Sequence, residues 1–395
     1  MRDPLSEEAP KRVTILGSTG SVGTSTLKLI ASAPGRFAVE ALTANRNLDL
    51  LAEQVARFRP RFVAVADAAL EAAARARIAD IDPAIEVAAG PEAVVEAARR
   101  EADFVMGAIV GAAGLRPTLA AIERGAVIGL ANKETLVCAG GIMMEAVRRH
   151  GATLLPVDSE HNAIFQVFDF ARPERVRRII LTASGGPFRT RARDSLKDIT
   201  PEEAVRHPNW SMGAKISIDS ATMMNKGLER IEAVHLFPVG RDQIEIVVHP
   251  QSVIHSMVEY CDGSVLAQLG TPDMCTPIAY ALAWPDRIPA PVERLDFARL
   301  GRLDFEAPDE ERFPALRLAR EALEAGESAP IVLNAANEVA VAAFLARRIG
   351  FLEITEVVER ALQAFSHGPV RSLEDVVAVD EEARRLAAGS LQAAA

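Results

Sequence analysis

The sequence predicts an α/β chain in three parts: a doubly wound, mostly parallel sheet, then a smaller α+β region, then a helical bundle. Three observations carry this expectation. Short apolar runs alternate with Ala/Glu/Arg-rich helical stretches from Val13 to Val157, three β-rich runs crowd together between Gln243 and Gly270, and helical periodicity dominates after Pro314. The expected divisions are 1–157, 158–290, a linker at 291–313 and 314–395. A chain of 395 residues with 49% hydrophobic content can bury a core large enough for such a plan.

Composition narrows the partners. A formal charge of −10 argues against nucleic acid, so any anionic ligand must be met by a local basic patch. Cys138, Cys261 and Cys275 have no metal or disulfide spacing, which fits a reducing compartment, and all three are expected to be small buried hydrophobes. The first ten residues are acidic and lack the apolar stretch of a leader. No run approaches the roughly 18 apolar residues of a membrane span. The expected address is the cytoplasm.

The first element is the apolar strand from Val13 to Gly17, followed by the turn Gly17-Ser18-Thr19-Gly20-Ser21-Val22-Gly23 and a helix over Thr24–Ala31 with apolar Leu27 and Ile30. Such a turn lets backbone amides and a helix N-terminus approach a pyrophosphate without Cβ obstruction, the Rossmann-like arrangement. The spacing is G-x-x-G-x-x-G rather than G-x-G-x-x-G. The next strand, Phe37–Ala44, runs into Ala44-Asn45-Arg46-Asn47, where an NAD enzyme places an acid for the ribose hydroxyls. An Arg-Asn pair without an acid fits the 2′-phosphate of NADP; a surface arginine in a turn is the plainer alternative. Further strands are expected at Phe62–Ala66, Phe104–Val110, Ala126–Ala131 and Thr153–Val157. Lys133 follows one of them at the carboxyl end, where open α/β sheets bind ligands.

In extended geometry Asp158 and Glu160 project to one side, with Ser159 on the other. At about 5 Å and an effective dielectric near 20, two carboxylates repel by roughly 3 kcal/mol. Either one stays protonated as a general acid or a divalent cation sits between them. If Glu229 joins them, three carboxylates with no adjacent His/Cys ligand set describe an oxygen-donor site for Mg²⁺ or Mn²⁺. The structural alternative is an N-cap Asp with a helix-start Glu. His161 reads as a packed histidine rather than a ligand.

Arg177–Ala183 reads as a strand entering a second glycine turn, Ser184–Phe188, suited to holding a phosphate. The stretch from His207 to Glu229 concentrates the remaining chemistry. Pro208, Asn209, Ser211 and Gly213 break regular structure around Trp210 and Met212, which suggests a lid over about 205–214. Asp219 or Ser220 is placed to cap a helix that aims Asn225 and Lys226 at an anion, with Asn225 and Glu229 on one face. A solvated mixed-charge helix is the bland alternative. The runs Gln243–Pro250, Val253–Tyr260 and Ser264–Gly270 are expected to pair antiparallel, with His249 and His255 structural. Pro285–Pro314 reads as a linker, and helices are expected over Pro314–Ala325, Ile331–Arg348, Leu352–Phe365 and Ser372–Gln392, the last opened by a capping box of Ser372 and Asp375.

The blocks GSTGSVG (17–23), ANKE (131–134), LLPVDSEHNAIFQ (154–166), ASGGPF (183–188), HPNWSMG (207–213), KISIDSATMMNKGLE (215–229), HPQSVIHSMVE (249–259) and LGTPDM (269–274) together resemble the 1-deoxy-D-xylulose 5-phosphate reductoisomerase family, nearly end to end. The resemblance implies NADPH and Mg²⁺ or Mn²⁺ as cofactors, a sugar-phosphate substrate, and rearrangement by retro-aldol cleavage and re-addition before reduction to 2-C-methyl-D-erythritol 4-phosphate. It implies that Asp158, Glu160 and Glu229 bind the metal and that Lys133, Ser159, Asn225 and Lys226 contact the sugar. By the same carry-over, Ser184, Ser220, Asn225 and Lys226 hold the phosphate, while His207, Trp210 and Met212 lie on a closing loop. The resemblance also implies cofactor contacts from Asn132, Glu134 and Gly213, and a homodimeric assembly.

Two other classes compete. A semialdehyde dehydrogenase needs a nucleophilic cysteine, and Cys138 sits in an apolar run without a basic partner. A non-catalytic NADP sensor has no use for three converging carboxylates.

Overall fold

The computed structural model describes residues 9–210 and 212–392. The acidic N-terminal stretch up to residue 8 and Ser211 of the expected lid lie outside the described residues. The chain divides into two compact units: Met1–Asn132, Met143–Asp158 and Met274–Val292 form the first, and Lys133–Ile142, Ser159–Asp273 and Glu293–Ala395 the second. The C-terminal helices thus fall in the same unit as the second sheet.

In the first unit, strands alternate with helices: β1 (Lys11–Leu16), α1 (Ser21–Ser32), β2 (Phe37–Ala44), α2 (Leu48–Phe58), β3 (Phe62–Val65), α3 (Glu71–Ala79), β4 (Glu86–Ala89), α4 (Pro91–Arg99), β5 (Phe104–Gly107), α5 (Leu115–Glu123), β6 (Val127–Leu130), the part of α6 (Glu134–His150) from Met143 onward, and β7 (Thr153–Pro156). All seven strands run parallel in the order β4-β3-β2-β1-β5-β6-β7. Strands β3 and β5 are buried at every position, as a sheet covered on both faces requires. Strand order reverses between β1 and β5, so the glycine turn after β1 occupies the topological switch point. The edge strand β4 was not expected: its four residues, Glu-Val-Ala-Ala, carry little β-propensity.

The second unit takes α6 up to Ile142 and continues with α7 (Ser159–Val167), then β8 (Val176–Ala183), α8 (Pro201–Ala204), α9 (Ala214–Ala221), α10 (Met224–Leu236), β9 (Ile244–Val248), β10 (Ile254–Tyr260) and β11 (Val265–Leu269). The first unit's α11 (Cys275–Ala283) follows, and α12 (Phe297–Leu300), α13 (Ala315–Ala325), α14 (Ser328–Leu345), α15 (Glu353–Ala364) and α16 (Leu373–Gln392) complete the chain. The sheet order is β11-β10-β8-β9, with β10 antiparallel to β8 and β11. Contrary to expectation, β9 pairs with β8, and in parallel. Parallel neighbours need a crossover, and the crossover here is the segment that carries α8, the loop, α9 and α10.

Three other expectations are corrected. The expected linker adds a backbone bridge from Glu306 to Val248, so part of it is tied to the sheet. Cys261 is exposed, while Cys138 and Cys275 are buried. Helix α14 does have the length and composition of a membrane span, with a mean hydropathy of 1.4 over 18 residues, yet 78% of it is buried. It is the core helix against which α15 and α16 pack. The expected capping box holds: Asp375 N donates to Ser372 Oγ (3.1 Å) and Ser372 N to Asp375 Oδ2 (3.1 Å).

Candidate active site

Gly17 turns the chain after β1 at φ 86°, and a Cβ there would lie 2.8 Å from the Ala108 carbonyl oxygen. At Gly23 a Cβ would lie 2.4 Å from the Gly17 oxygen, so helix α1 packs on its own turn only because this residue is glycine. Gly17 N donates to Thr43 Oγ1 (2.8 Å), Ser18 N to Thr43 O (2.8 Å) and Ser18 Oγ to Gln54 Oε1 (2.7 Å). Ser18 therefore faces inward, Thr19 and Val22 are half-buried, and Gly20 and Ser21 are exposed at the start of α1. Beyond buried Ala44, residues Asn45, Arg46 and Asn47 are exposed. Asn47 Oδ1 accepts from Leu50 N and caps α2, while Arg46 Nε lies 3.2 Å from Asp67 Oδ2. Asn132 Nδ2 donates to the Ile109 and Gly111 carbonyls and so braces the loop after β5.

In the second unit the charged residues converge on Glu229, which is fully buried. Lys133 Nζ donates to Asn225 Oδ1 (2.8 Å) and Glu229 Oε1 (3.1 Å), and Asn225 Nδ2 donates to the same Glu229 oxygen. Lys226 Nζ bridges Glu229 Oε2 and Glu160 Oε1, the latter at 3.0 Å. Ser159 Oγ donates to Glu160 Oε2 (2.6 Å). Asp158, joined by its peptide to Ser159, completes a group in which Asp158, Glu160 and Glu229 each offer an oxygen within 4.8 Å of the others. These are hard oxygen donors only, the set that suits Mg²⁺ or Mn²⁺. Glu160 belongs to the first turn of α7, not to a strand end, so a helical turn rather than strand alternation presents the pair.

The position of Glu229 is set by close helix packing. A Cβ at Gly227 would lie 2.6 Å from the Ala319 Cβ, so α10 approaches α13 through a glycine. His161 Nε2 lies 3.0 Å from the Glu229 carbonyl oxygen and its Nδ1 2.9 Å from Glu232 Oε2. Asp219 and Ser220 do not cap α10; both belong to α9, and Met223, in the left-handed region at φ 65°, makes the corner.

The second glycine turn follows β8, with Gly185 at φ 80° and Gly186 at φ 68°. A Cβ at Gly186 would lie 2.7 Å from the Ser220 oxygen, which places this turn on the end of α9. Ser184 Oγ accepts from Gly186 N (3.1 Å) and lies 2.8 Å from His207 Nε2. His207 Nδ1 accepts from the backbone N–H groups of Asn209 (3.2 Å) and Trp210 (3.0 Å), so the ring knots the loop to Ser184. Burial pulls the His207 pKa down to about 4, consistent with a neutral ring that donates through Nε2. The Trp210 ring stands 6.0 Å from that of His255, half-buried Met212 continues the loop, and Gly213 is the N-cap of α9.

One neighbour of the site, His255, was expected to be structural, and another, Lys215, went unread in the sequence. Buried His255 meets Trp210, and Lys215 pairs with Glu134 (3.1 Å) and Asp219 (2.8 Å). The Glu-to-Lys pairing spans 81 positions, and no local pattern announces it. His249 is structural as expected, held between the Asp304 carbonyl and Val253 N. The Cys138 thiol is pushed well up by burial, which removes it as a nucleophile.

A glycine turn at the switch point of a parallel sheet, in a chain that also gathers carboxylates and lysines around one buried glutamate, defines an oxidoreductase of the doubly wound, dinucleotide-binding class. Three family models match: 1-deoxy-D-xylulose 5-phosphate reductoisomerase over residues 13–140, its C-terminal domain over 154–237, and DXP reductoisomerase C-terminal domain over 269–386. The chain is 62% identical to the 1-deoxy-D-xylulose 5-phosphate reductoisomerase of Rhodospirillum centenum, covering 95% of this chain and 93% of that one. It is 58% identical to that of Zymomonas mobilis, covering 97% and 98%. A solved structure of the Zymomonas mobilis enzyme in complex with NADPH superposes with a TM-score of 0.92 at 55% identity, covering 97% and 99%. One of DOX-P reductoisomerase with NADPH, fosmidomycin and magnesium gives 0.93 at 45%, covering 97% and 98%. The chain belongs to the 1-deoxy-D-xylulose 5-phosphate reductoisomerase family.

Proposed function

We propose that this chain uses NADPH and a divalent metal to rearrange and reduce 1-deoxy-D-xylulose 5-phosphate to 2-C-methyl-D-erythritol 4-phosphate, a step of non-mevalonate isoprenoid synthesis, and that the residues around Glu229 are its reacting centre. The observation that carries the placement is the buried Glu229 carboxylate, held by Lys133, Asn225 and Lys226 beside Glu160. Asp158, Glu160 and Glu229 would hold Mg²⁺ or Mn²⁺, and the Gly17–Gly23 turn with Asn45, Arg46, Asn132 and Glu134 would hold NADPH. When bound, the cation supplies a Lewis acid to oxygens of the sugar and NADPH supplies the hydride.

The protein's part is to orient and to exclude water. Lys133 and Lys226 each donate to one oxygen of the buried Glu229 carboxylate, a setting where an uncompensated charge costs several kcal/mol. Lys226, Asn225 and the hydroxyls of Ser184 and Ser220 receive the substrate phosphate, with Ser184 aimed by His207. Loop 205–214 closes over the substrate with Trp210 and Met212 as apolar cover, and Lys133 and Ser159 contact the sugar. The family resemblance implies a homodimer, and a cytoplasmic enzyme fits three free cysteines.

The test is NADPH oxidation by the purified chain with the ketose phosphate, with and without Mg²⁺ or Mn²⁺. Oxidation is expected only when substrate and metal are both present. Undiminished oxidation after chelation would overturn the metal's role.

A further inference from the structure

Lys215 is the second residue of α9, directly beyond the exit of loop 205–213. Its ammonium lies between two carboxylates: Asp219 Oδ2 at 2.8 Å, one turn further along α9, and Glu134 Oε1 at 3.1 Å, the first residue of α6. The side chains of Asp219 and Glu134 are 1% and 7% exposed, and that of Lys215 is 26%. Asn337 Nδ2, from the core helix α14, donates to the other Asp219 oxygen at 2.8 Å. Burial works against the charge on Lys215, yet Asp219 and then Glu134 outweigh it and hold its pKa above the ordinary lysine value. Burial likewise opposes ionisation of Glu134, and Lys215 outweighs it in turn.

A buried ion network of this kind adds little net stability, because desolvation offsets attraction; what it does provide is geometry. The geometry here has two ends. At one, Lys215 and Asp219 anchor the helix into which the loop runs. At the other, Glu134 is the immediate neighbour of Lys133, whose ammonium reaches Asn225 and Glu229.

We propose that Lys215 is a positioning residue: it aims the Glu134 carboxylate at the cofactor and holds the Lys133–Glu134 segment in register with the exit of loop 205–213. The inference rests on the reading of Glu134 as an NADPH contact, and the experiment separates the two. NADPH dissociation constants are measured by fluorescence titration on the full-length protein for Glu134→Gln, Lys215→Gln and the double variant. Each single change is expected to weaken NADPH about tenfold, and the double variant to be no weaker than the worse single one, because Lys215 acts through Glu134. A merely structural lysine gives losses that multiply. Multiplying losses, or wild-type affinity in Lys215→Gln beside a weakened Glu134→Gln, overturn the proposal and leave the cofactor reading intact. Wild-type affinity in Glu134→Gln overturns both. Should Lys215→Gln fail to fold, the same cycle is run with Lys215→Arg, which keeps the charge. Coupling to Glu134→Gln of about threefold or more is then expected, and its absence overturns the proposal.

Discussion

After β1, the turn at Gly17–Gly23 is shaped almost entirely by neighbours on its own sheet: Thr43 from β2 takes the Gly17 amide, Gln54 from α2 takes Ser18, and a 12-residue helix follows at once. After β8, the turn at Ser184–Gly186 has no helix behind it and takes its shape from His207, 23 positions on, and from the end of α9. The first turn offers exposed backbone at a helix N-terminus; the second offers a hydroxyl fixed by an imidazole. A backbone cradle tolerates changes of side chain but no added Cβ at its packed glycines. A side-chain cradle depends on the loop that carries the imidazole, and so on anything that moves or charges it.

The largest break in this comparison is expected from Gly23→Ala. Its Cβ would meet the backbone of Gly17 and Ser18 at 2.4–2.6 Å, with no flexible group to give way. Overpacking of this sort costs about 1–3 kcal/mol, so NADPH affinity should fall by roughly tenfold to a hundredfold while Mn²⁺ binding by the carboxylates stays unchanged. Equilibrium titration of each ligand checks it, and a parallel loss of both would erase the distinction between the two regions.

Arg46→Ala sharpens the comparison at the rim of the first cradle. Arg46 is 74% exposed and shares its charge with Asp67, so its removal should weaken NADPH by only about tenfold and leave NADH nearly untouched. Equal losses for the two nucleotides would show that Arg46 does not read the 2′-phosphate.

A smaller effect is expected from pH at the second turn. The His207 pKa stands at about 4 in the fold against an ordinary 6.5, so between these values an opened loop takes up a proton that the closed knot refuses. The loop's stability is complete above about pH 6.5 and is lost as pH falls towards about 4. Cleavage within 205–214 during brief limited proteolysis should rise over that window, and this dependence should vanish in His207→Asn. A flat profile in the wild-type protein would remove His207 as the knot.

How much of this was legible in the sequence follows the same division. The first turn and β2 could be read because strand, glycines and helix are contiguous, and the C-terminal helices because their periodicity is local. The parallel pairing of β9 with β8 was hidden because the connecting segment itself carries the loop and two helices, and proximity in sequence favoured the wrong partner. Capping by Asp219 was misread because a buried aspartate paired with Lys215 has the same local pattern as an N-cap. Glu160 was placed on a strand because two carboxylates at alternate positions fit either a strand end or a helical first turn. The convergence of Lys133, Glu160 and Glu229 has no local signal, and the family resemblance, not spacing, brought these residues together.

The most direct measurement of the central claim is Mn²⁺ and NADPH binding by Glu229→Gln, alongside its turnover. The variant keeps the shape of a side chain that is fully buried and removes its charge. The expected result is intact NADPH affinity, Mn²⁺ affinity lower by about a hundredfold, and near-complete loss of both rearrangement and reduction. Wild-type turnover at ordinary metal concentration would contradict it and remove Glu229 from the reacting centre.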